Sequence, residues 1–155
     1  MDDPALKSRL GNGEKGSYIV CLQLNKVTHV QIGKLGDHVF HPGFYYYIGS
    51  AFGPGGVAAR CKHHLNISTS PRWHLDYLRR HGQVEEILFN TETVHYEHVW
   101  ARAFTQHNID MPMPGFGASD CDCPTHLFFS SCKLDPRGFI EQTLDLFDTR
   151  KNPPS

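Results

Sequence analysis

Long apolar runs are missing from this chain. Its hydrophobic residues, 39% of 155, come in short bounded stretches, well below the roughly 20 in a row that a membrane-spanning helix needs. Bulk charge is missing too. Fifteen Lys and Arg against sixteen Asp and Glu give a net charge of −1, which excludes a chain that holds polyanions through overall positive charge. Any contact with nucleic acid must therefore be local. The start Met-Asp-Asp-Pro-Ala has neither the basic end nor the apolar run of a signal peptide, and five cysteines are an odd number, so a reducing cytoplasmic setting without disulfides is expected. Cys121-x-Cys123-x2-His126, with Asp120 before it and Cys132 beyond, is a tight group of soft ligands. The second Cys or His pair that a structural zinc site usually draws from elsewhere is lacking. Bound zinc is accordingly not expected; the alternative it would support is a small zinc-stabilised interaction domain. There is no internal repeat, and the length suits one domain, expected over residues 16–148 between a loose tail (1–15) and a frayed end (149–155).

What is present is organised around Tyr45 to His64. Phe44 to Ile48 is a run of aromatic and β-branched residues that predicts a strand, and the glycines from Gly49 to Gly56 predict a turn whose backbone a ligand can approach. Pro54 suits the start of a helix, which continues in 3.6-residue periodicity from Val57 to Leu65. Val57, Cys61 and Leu65 share one face, and Arg60 and His64 lie four apart on the next, a guanidinium beside an imidazole near the glycine turn. Such a pair suits an anion.

The rest of the chain predicts an α+β fold, a mainly antiparallel central sheet flanked by helices. Strands are expected at Ser17 to Leu24, Val27 to Ile32, His38 to His41, Val84 to Phe89 and Thr125 to Ser130, the first four of the chain following one another at hairpin spacing. Helices are expected at Trp73 to Arg80, at Val94 to Gln106 with Val99, Trp100, Ala103 and Phe104 as its apolar stripe, and from Asp135-Pro136 to Phe147 with Phe139, Ile140, Leu144 and Phe147 facing inward. Met111 to Asp122 is an irregular Pro- and Gly-rich loop of the kind that often carries function; Ser119, Asp120 and His126 are its candidates for facing a site, beside buried thiols. Positive charge is local: Arg60, Lys62, Arg72, Arg79 and Arg80 stand against the single acid Asp76 between positions 60 and 80. Lys62, Arg72, His74 and Arg79 are the candidate phosphate contacts there.

Gly16-Ser17-Tyr18 on a first strand, Tyr47-Ile48-Gly49 on a later one, a helical Arg60 and a later helical Glu97 together resemble the GIY-YIG nuclease superfamily. The Gly49 to Gly56 turn, Trp73-His74-Leu75-Asp76-Tyr77-Leu78 and Phe116-Gly117-Ala118-Ser119-Asp120-Cys121 resemble an uncharacterised branch of it, sometimes fused to endonuclease III-type glycosylases. Ser17 stands where the first signature has isoleucine, and Tyr18 is further from Tyr47 than a short hairpin gives, so an extra hairpin between Val27 and His41 is expected. The resemblance implies a metal-dependent nuclease, with Tyr18, Tyr47, Arg60 and His64 as catalytic residues and Glu97 holding one Mg²⁺ or Mn²⁺. It implies a nucleic-acid partner, DNA rather than RNA, and leaves a non-catalytic binding module on the same fold as the alternative. For Glu97, a first-turn acid answering the helix dipole is the plainer reading.

Overall fold

The strand formers of Gly16–Leu24 build β1, the middle strand of a five-stranded antiparallel sheet, in a computed structural model that describes residues 13–118 and 123–147. β1 lies between β4 (Gly43–Ala51) and β5 (Gln83–Asn90), with β6 (Leu127–Ser130) outside β4 and β7 (Asp145–Leu146) outside β5. Nearly every residue of β1 is buried, because both sheet faces are covered and neither is left polar. Alternate side chains feed two cores. Tyr18, Val20 and Leu22 of β1 join Tyr45 and Tyr47 of β4 on one face, and Ile19, Cys21, Tyr46 and Ile48 go to the other.

The first core is closed by α1 (Gly56–Leu65), α2 (His74–Arg79) and the hairpin β2 (Thr28–Gln31) and β3 (Asp37–Phe40), which supply Val57, Cys61, Leu65, Leu75, Leu78, Val30 and Phe40. The second is closed by α3 (Glu97–Gln106) through Trp100 and Phe104. Each such side chain, taken from water to full burial, contributes on the order of 1.5–3 kcal/mol. The molecule is thus a small α+β domain with a five-stranded antiparallel sheet packed against three helices. No helix among the described residues is long and apolar enough to cross a membrane.

Several sequence expectations need correction. The extra hairpin expected between Val27 and His41 is present as β2 and β3, but it forms a separate two-stranded sheet, and β1 pairs directly with β4 from Gly16↔Ala51 to Leu24↔Gly43. Order also starts before Gly16, since the Glu14 carbonyl accepts the amide of Val57 at 2.8 Å. α3 begins at Glu97 rather than Val94, and Val99 is exposed while Ala101 takes its place inside.

The helix expected from Asp135 to Phe147 does not exist. A short 3₁₀ turn (Pro136–Gly138), capped by the Asp135 carboxylate accepting from the Arg137 amide, leads to β7, which pairs Leu146 with Leu88. The reason lies in where the apolar residues must go. Ile140 and Leu144 pack in the second core and Phe147 in the first, on opposite faces of the sheet. One helical stripe cannot reach both, whereas a chain rounding the edge of β5 can.

Candidate active site

Tyr18 and Gly49 face each other across β1 and β4. A Cβ at Gly49 would lie 2.4 Å from the Tyr18 hydroxyl and 2.5 Å from Cζ; the strand needs glycine there because the tyrosine ring lies over it. Tyr47, two residues earlier, has its ring centroid 6.4 Å from that of Tyr18. Both rings are buried. Burial pushes the Tyr18 hydroxyl well above its ordinary pKa; that of Tyr47 rises to about 12 by burial, Arg60 acting against the rise and Asp76 and Glu97 with it. Both phenols are therefore protonated at neutral pH.

The helical spacing of Arg60 and His64 delivers both to this pair, in different ways. His64 is fully buried, at i+7 from Val57 and so on the core face of α1 itself, not beside it as the sequence reading has it. Its Nε2 lies 2.8 Å from the Tyr18 hydroxyl, and its ring packs 5.9 Å from that of Tyr47. Burial, with the positive charges of His63, Arg60 and Arg79, holds its pKa well below the usual histidine range. Half-buried Arg60 donates from Nη1 to the Tyr18 oxygen at 3.4 Å and lies 3.9 Å from the centre of the Trp73 ring.

A guanidinium can only donate, so the Tyr18 oxygen accepts from Arg60. His64 Nδ1 has no hydrogen-bond partner and points to the Asp76 carboxylate 4.0 Å away, a setting that favours the proton on Nδ1 and a bare Nε2. The Tyr18 O–H then donates to Nε2, and the three residues form a directed chain from Arg60 through Tyr18 to His64.

Asp76 anchors this arrangement from α2. One of its oxygens lies 2.9 Å from His63 Nε2, and the other accepts the amides of Arg72 (2.8 Å) and Trp73 (3.1 Å), satisfying donors at the helix start. Neither His63, Asp76 nor Trp73 was singled out for the site from sequence. The Trp73 to Leu78 string carried the family resemblance, but nothing local in it told that Asp76 reaches α1.

Glu97 opens α3 and is buried, its Oε1 3.3 Å from His95 Nδ1 and 3.4 Å from His98 Nε2. Its Oε2 is buried with no hydrogen-bond partner. A carboxylate oxygen withheld from water and from every described donor fits a hard divalent cation as ligand. Glu97 also lies close enough to Tyr47 and His126 for its charge to raise both pKa values, although burial holds that of His126 below the usual range.

The glycine turn is partly used by the chain itself. A Cβ at Gly56 would meet the Glu14 carbonyl oxygen at 2.2 Å, so the segment leading into β1 lies against the start of α1, on the turn whose backbone the sequence predicts a ligand can approach.

The basic segment divides. Lys62 and Arg72 are exposed, and the Arg72 guanidinium lies 5.0 Å from the Trp73 ring. Arg79 points inward: it is buried and donates to the carbonyls of His64 (2.8 Å), Leu65 (2.7 Å) and Gly82 (2.9 Å), closing the end of α1. It is thereby withdrawn from phosphate. His74 accepts the Gly117 amide on Nδ1 at 2.7 Å and burial lowers its pKa, so only its other nitrogen remains to face a ligand. Ser119 and Asp120 lie outside the described residues. His126 is buried at the start of β6 beside His98 on α3, a neighbour that sequence spacing did not reveal, whereas Cys132 is exposed rather than a buried thiol.

No curated protein and no solved structure matches the chain. The family model for the domain of unknown function DUF123 matches residues 17–148, from the start of β1 past β7. The chain belongs to the DUF123 family.

Proposed function

We propose that this domain is a divalent-metal-dependent nuclease that hydrolyses phosphodiester bonds in DNA, built on the GIY-YIG plan. The observation that carries the reading is the directed hydrogen-bond chain from Arg60 through Tyr18 to His64, set beside a buried carboxylate with an orphaned oxygen. Further support comes from the motif resemblance, which names the same residues without reference to their geometry.

In this reading Arg60, steadied over Trp73, pairs with non-bridging phosphate oxygens and opposes the charge that grows there. Tyr18 takes a proton from the attacking water as it passes its own to His64 Nε2, so the water's proton ends on the imidazole and Tyr18 is restored. The depressed pKa of His64 keeps Nε2 unprotonated at neutral pH. Tyr47 packs against His64 and positions the ring. Glu97 is the residue to hold Mg²⁺ or Mn²⁺, which when bound supplies charge neutralisation at the phosphate and the leaving oxygen. Lys62, Arg72 and Arg80 are exposed cations available to the flanking backbone.

The test is cleavage of duplex, flap, branched and single-stranded DNA and of RNA with Mg²⁺ or Mn²⁺, alongside binding measured across a salt series. Metal-dependent nicking of a DNA form is the expected result. Salt-sensitive binding with no cleavage of any form under either ion would replace the nuclease with a binding module on this fold.

A further inference from the structure

Next to Glu97, three side chains from two separate parts of the fold meet. His98 is in the first turn of α3; Cys123 and His126 precede β6. One ligand atom from each lies within 4.8 Å of the other two, and His98 Nδ1 is 3.3 Å from Cys123 Sγ. In a tetrahedral zinc site the ligand atoms stand roughly 3.4–3.6 Å apart, from bond lengths near 2.3 Å to sulfur and 2.0–2.1 Å to nitrogen. From separations of up to 4.8 Å, a contraction of at most about 1.4 Å brings the trio to that spacing.

We propose that Cys123, His98 and His126 form a binding site for a borderline-soft transition-metal ion of the Zn²⁺ class. The observation beyond the cluster itself is how His98 is held. Its Nδ1 faces the thiol while its Nε2 faces Glu97 Oε1 at 3.4 Å, the carboxylate–imidazole–metal arrangement that fixes the tautomer and orientation of a ligating histidine. The backbone on the other side is pinned as well. His126 donates its amide to the Phe116 carbonyl at 2.7 Å and accepts from Ile48 at 3.0 Å, and the Pro124 carbonyl accepts from Gly115 at 2.7 Å. A thiolate with two imidazoles selects zinc over magnesium or calcium, which prefer oxygen. Binding releases the Cys123 thiol proton and leaves Glu97 Oε2 for the hard cation, so the two sites share one carboxylate without sharing a donor atom.

Where sequence spacing alone counts against zinc for want of a second ligand pair, α3 supplies His98 from 25 positions away in the chain. The proposal does not rest on the nuclease reading, because its readout is metal binding and not cleavage. Chelator-washed protein is titrated with Zn²⁺ by calorimetry and with Co²⁺ by absorption. Expected are one ion per chain in the micromolar range or tighter and, with Co²⁺, a thiolate-to-metal charge-transfer band that Cys123→Ser abolishes and Cys132→Ser leaves unchanged. Glu97→Gln should keep the band and weaken affinity about 10–100-fold, the usual effect of losing an outer partner. No stoichiometric binding, or a band that survives Cys123→Ser, overturns the site. Should Cys123→Ser fail to fold, His98→Ala at the half-exposed start of α3 decides the matter: zinc affinity unchanged by that variant is equally fatal.

Discussion

The Tyr18 hydroxyl and His64 Nε2 lie 2.8 Å apart, and this contact ties the central strand to the helix that covers it. Tyr18 is on β1 and His64 on α1, both fully buried. A buried phenol facing a buried imidazole satisfies two polar groups at once, so the first core contains a polar pair where an apolar one would be simpler to pack. That cost is understandable if the pair moves a proton.

Replacing Tyr18 with Phe removes one oxygen and leaves both His64 nitrogens without a hydrogen-bond partner, since Nδ1 has none already. Stability should fall by about 1–3 kcal/mol, the range for an unsatisfied buried polar group, as read by denaturant unfolding. Under the proposed function cleavage should slow with DNA affinity retained, because Arg60, the cation proposed to meet the phosphate, is still present. A variant as stable and as active as wild type would remove Tyr18 from the mechanism.

Gly49→Ala tests the same hydroxyl from the opposite strand. Its Cβ would sit 2.4 Å from the Tyr18 oxygen, and displacing the ring breaks the contact with His64. Overpacking of this kind costs about 1–3 kcal/mol. Gly53→Ala is the matched control: nothing lies within 4 Å of its Cβ, so its effect should stay within about 0.5 kcal/mol. Equal melting temperatures for the two variants would show that the Tyr18 ring yields freely.

Stability should depend on pH through His64, whose folded-state pKa is depressed by burial and by neighbouring positive charge. The neutral form is the one the fold accepts. Above the unfolded value near 6.5 the protein therefore keeps its full stability, and as pH falls below that value the unfolded state takes up a proton that the folded state resists, so stability declines toward the folded pKa. The groups facing the ring are Tyr18 on β1, Tyr47 on β4, Arg60 and His63 on α1, and Asp76 and Arg79 on α2. His74 and His126 have lowered values too, so the measurement is a difference: His64→Asn should flatten the fall in melting temperature below about pH 6.5 relative to wild type. Parallel curves would assign the acid loss to the other histidines.

Much of the fold could be read locally. Tyr18, Tyr47 and Arg60 sit on elements whose periodicity is strong, and the i, i+4 spacing of Arg60 and His64 does put both at one site. Reading failed where a side chain's role is set by a partner far along the chain. Arg79 looks like one more exposed cation in a basic run, and only the end of α1 packed above it, with the His64 and Leu65 carbonyls to satisfy beside that of Gly82, turns it inward. His98 looks like a solvated helix residue until the segment before β6 is brought against it. The apolar spacing from Phe139 to Phe147 mimics a helix because it counts residues and not faces, and here successive apolar residues serve opposite sides of a sheet.

Glu97→Gln separates metal binding from folding. In wild type, a divalent ion at a hundred times its Kd should stabilise by about 2.7 kcal/mol, which at this chain length corresponds to roughly 5–10 °C in Tm. The variant should lose the increment with Mg²⁺ and Mn²⁺. Its ion-free form should be no less stable than wild type, because a buried charge whose Oε2 has no partner has been neutralised. An undiminished Mg²⁺ or Mn²⁺ shift in the variant would place the hard cation elsewhere.

Arg60→Ala bears most directly on catalysis. The side chain is half-buried, donates only to the Tyr18 oxygen at 3.4 Å and lies against Trp73, while Val57, Cys61, His64 and Leu65 form the packed face of α1. Truncation should therefore cost the fold little: the long hydrogen bond to Tyr18 and the cation–π contact, the latter about 0.5–1 kcal/mol. Its catalytic cost should be far larger. A preorganised donor opposite charge that develops on an oxygen is worth about 10²–10³ in rate, or ~2.7–4 kcal/mol. Arg60→Lys keeps the charge but not the planar fork and should recover only part of that loss. Single-turnover cleavage at saturating protein isolates the chemical step from binding. A hundredfold fall there, with melting temperature nearly unchanged, is the expected pattern; if the rate constant instead stays at the wild-type value and only the Kd rises, Arg60 binds substrate equally in ground and transition states and the chemistry belongs to other residues.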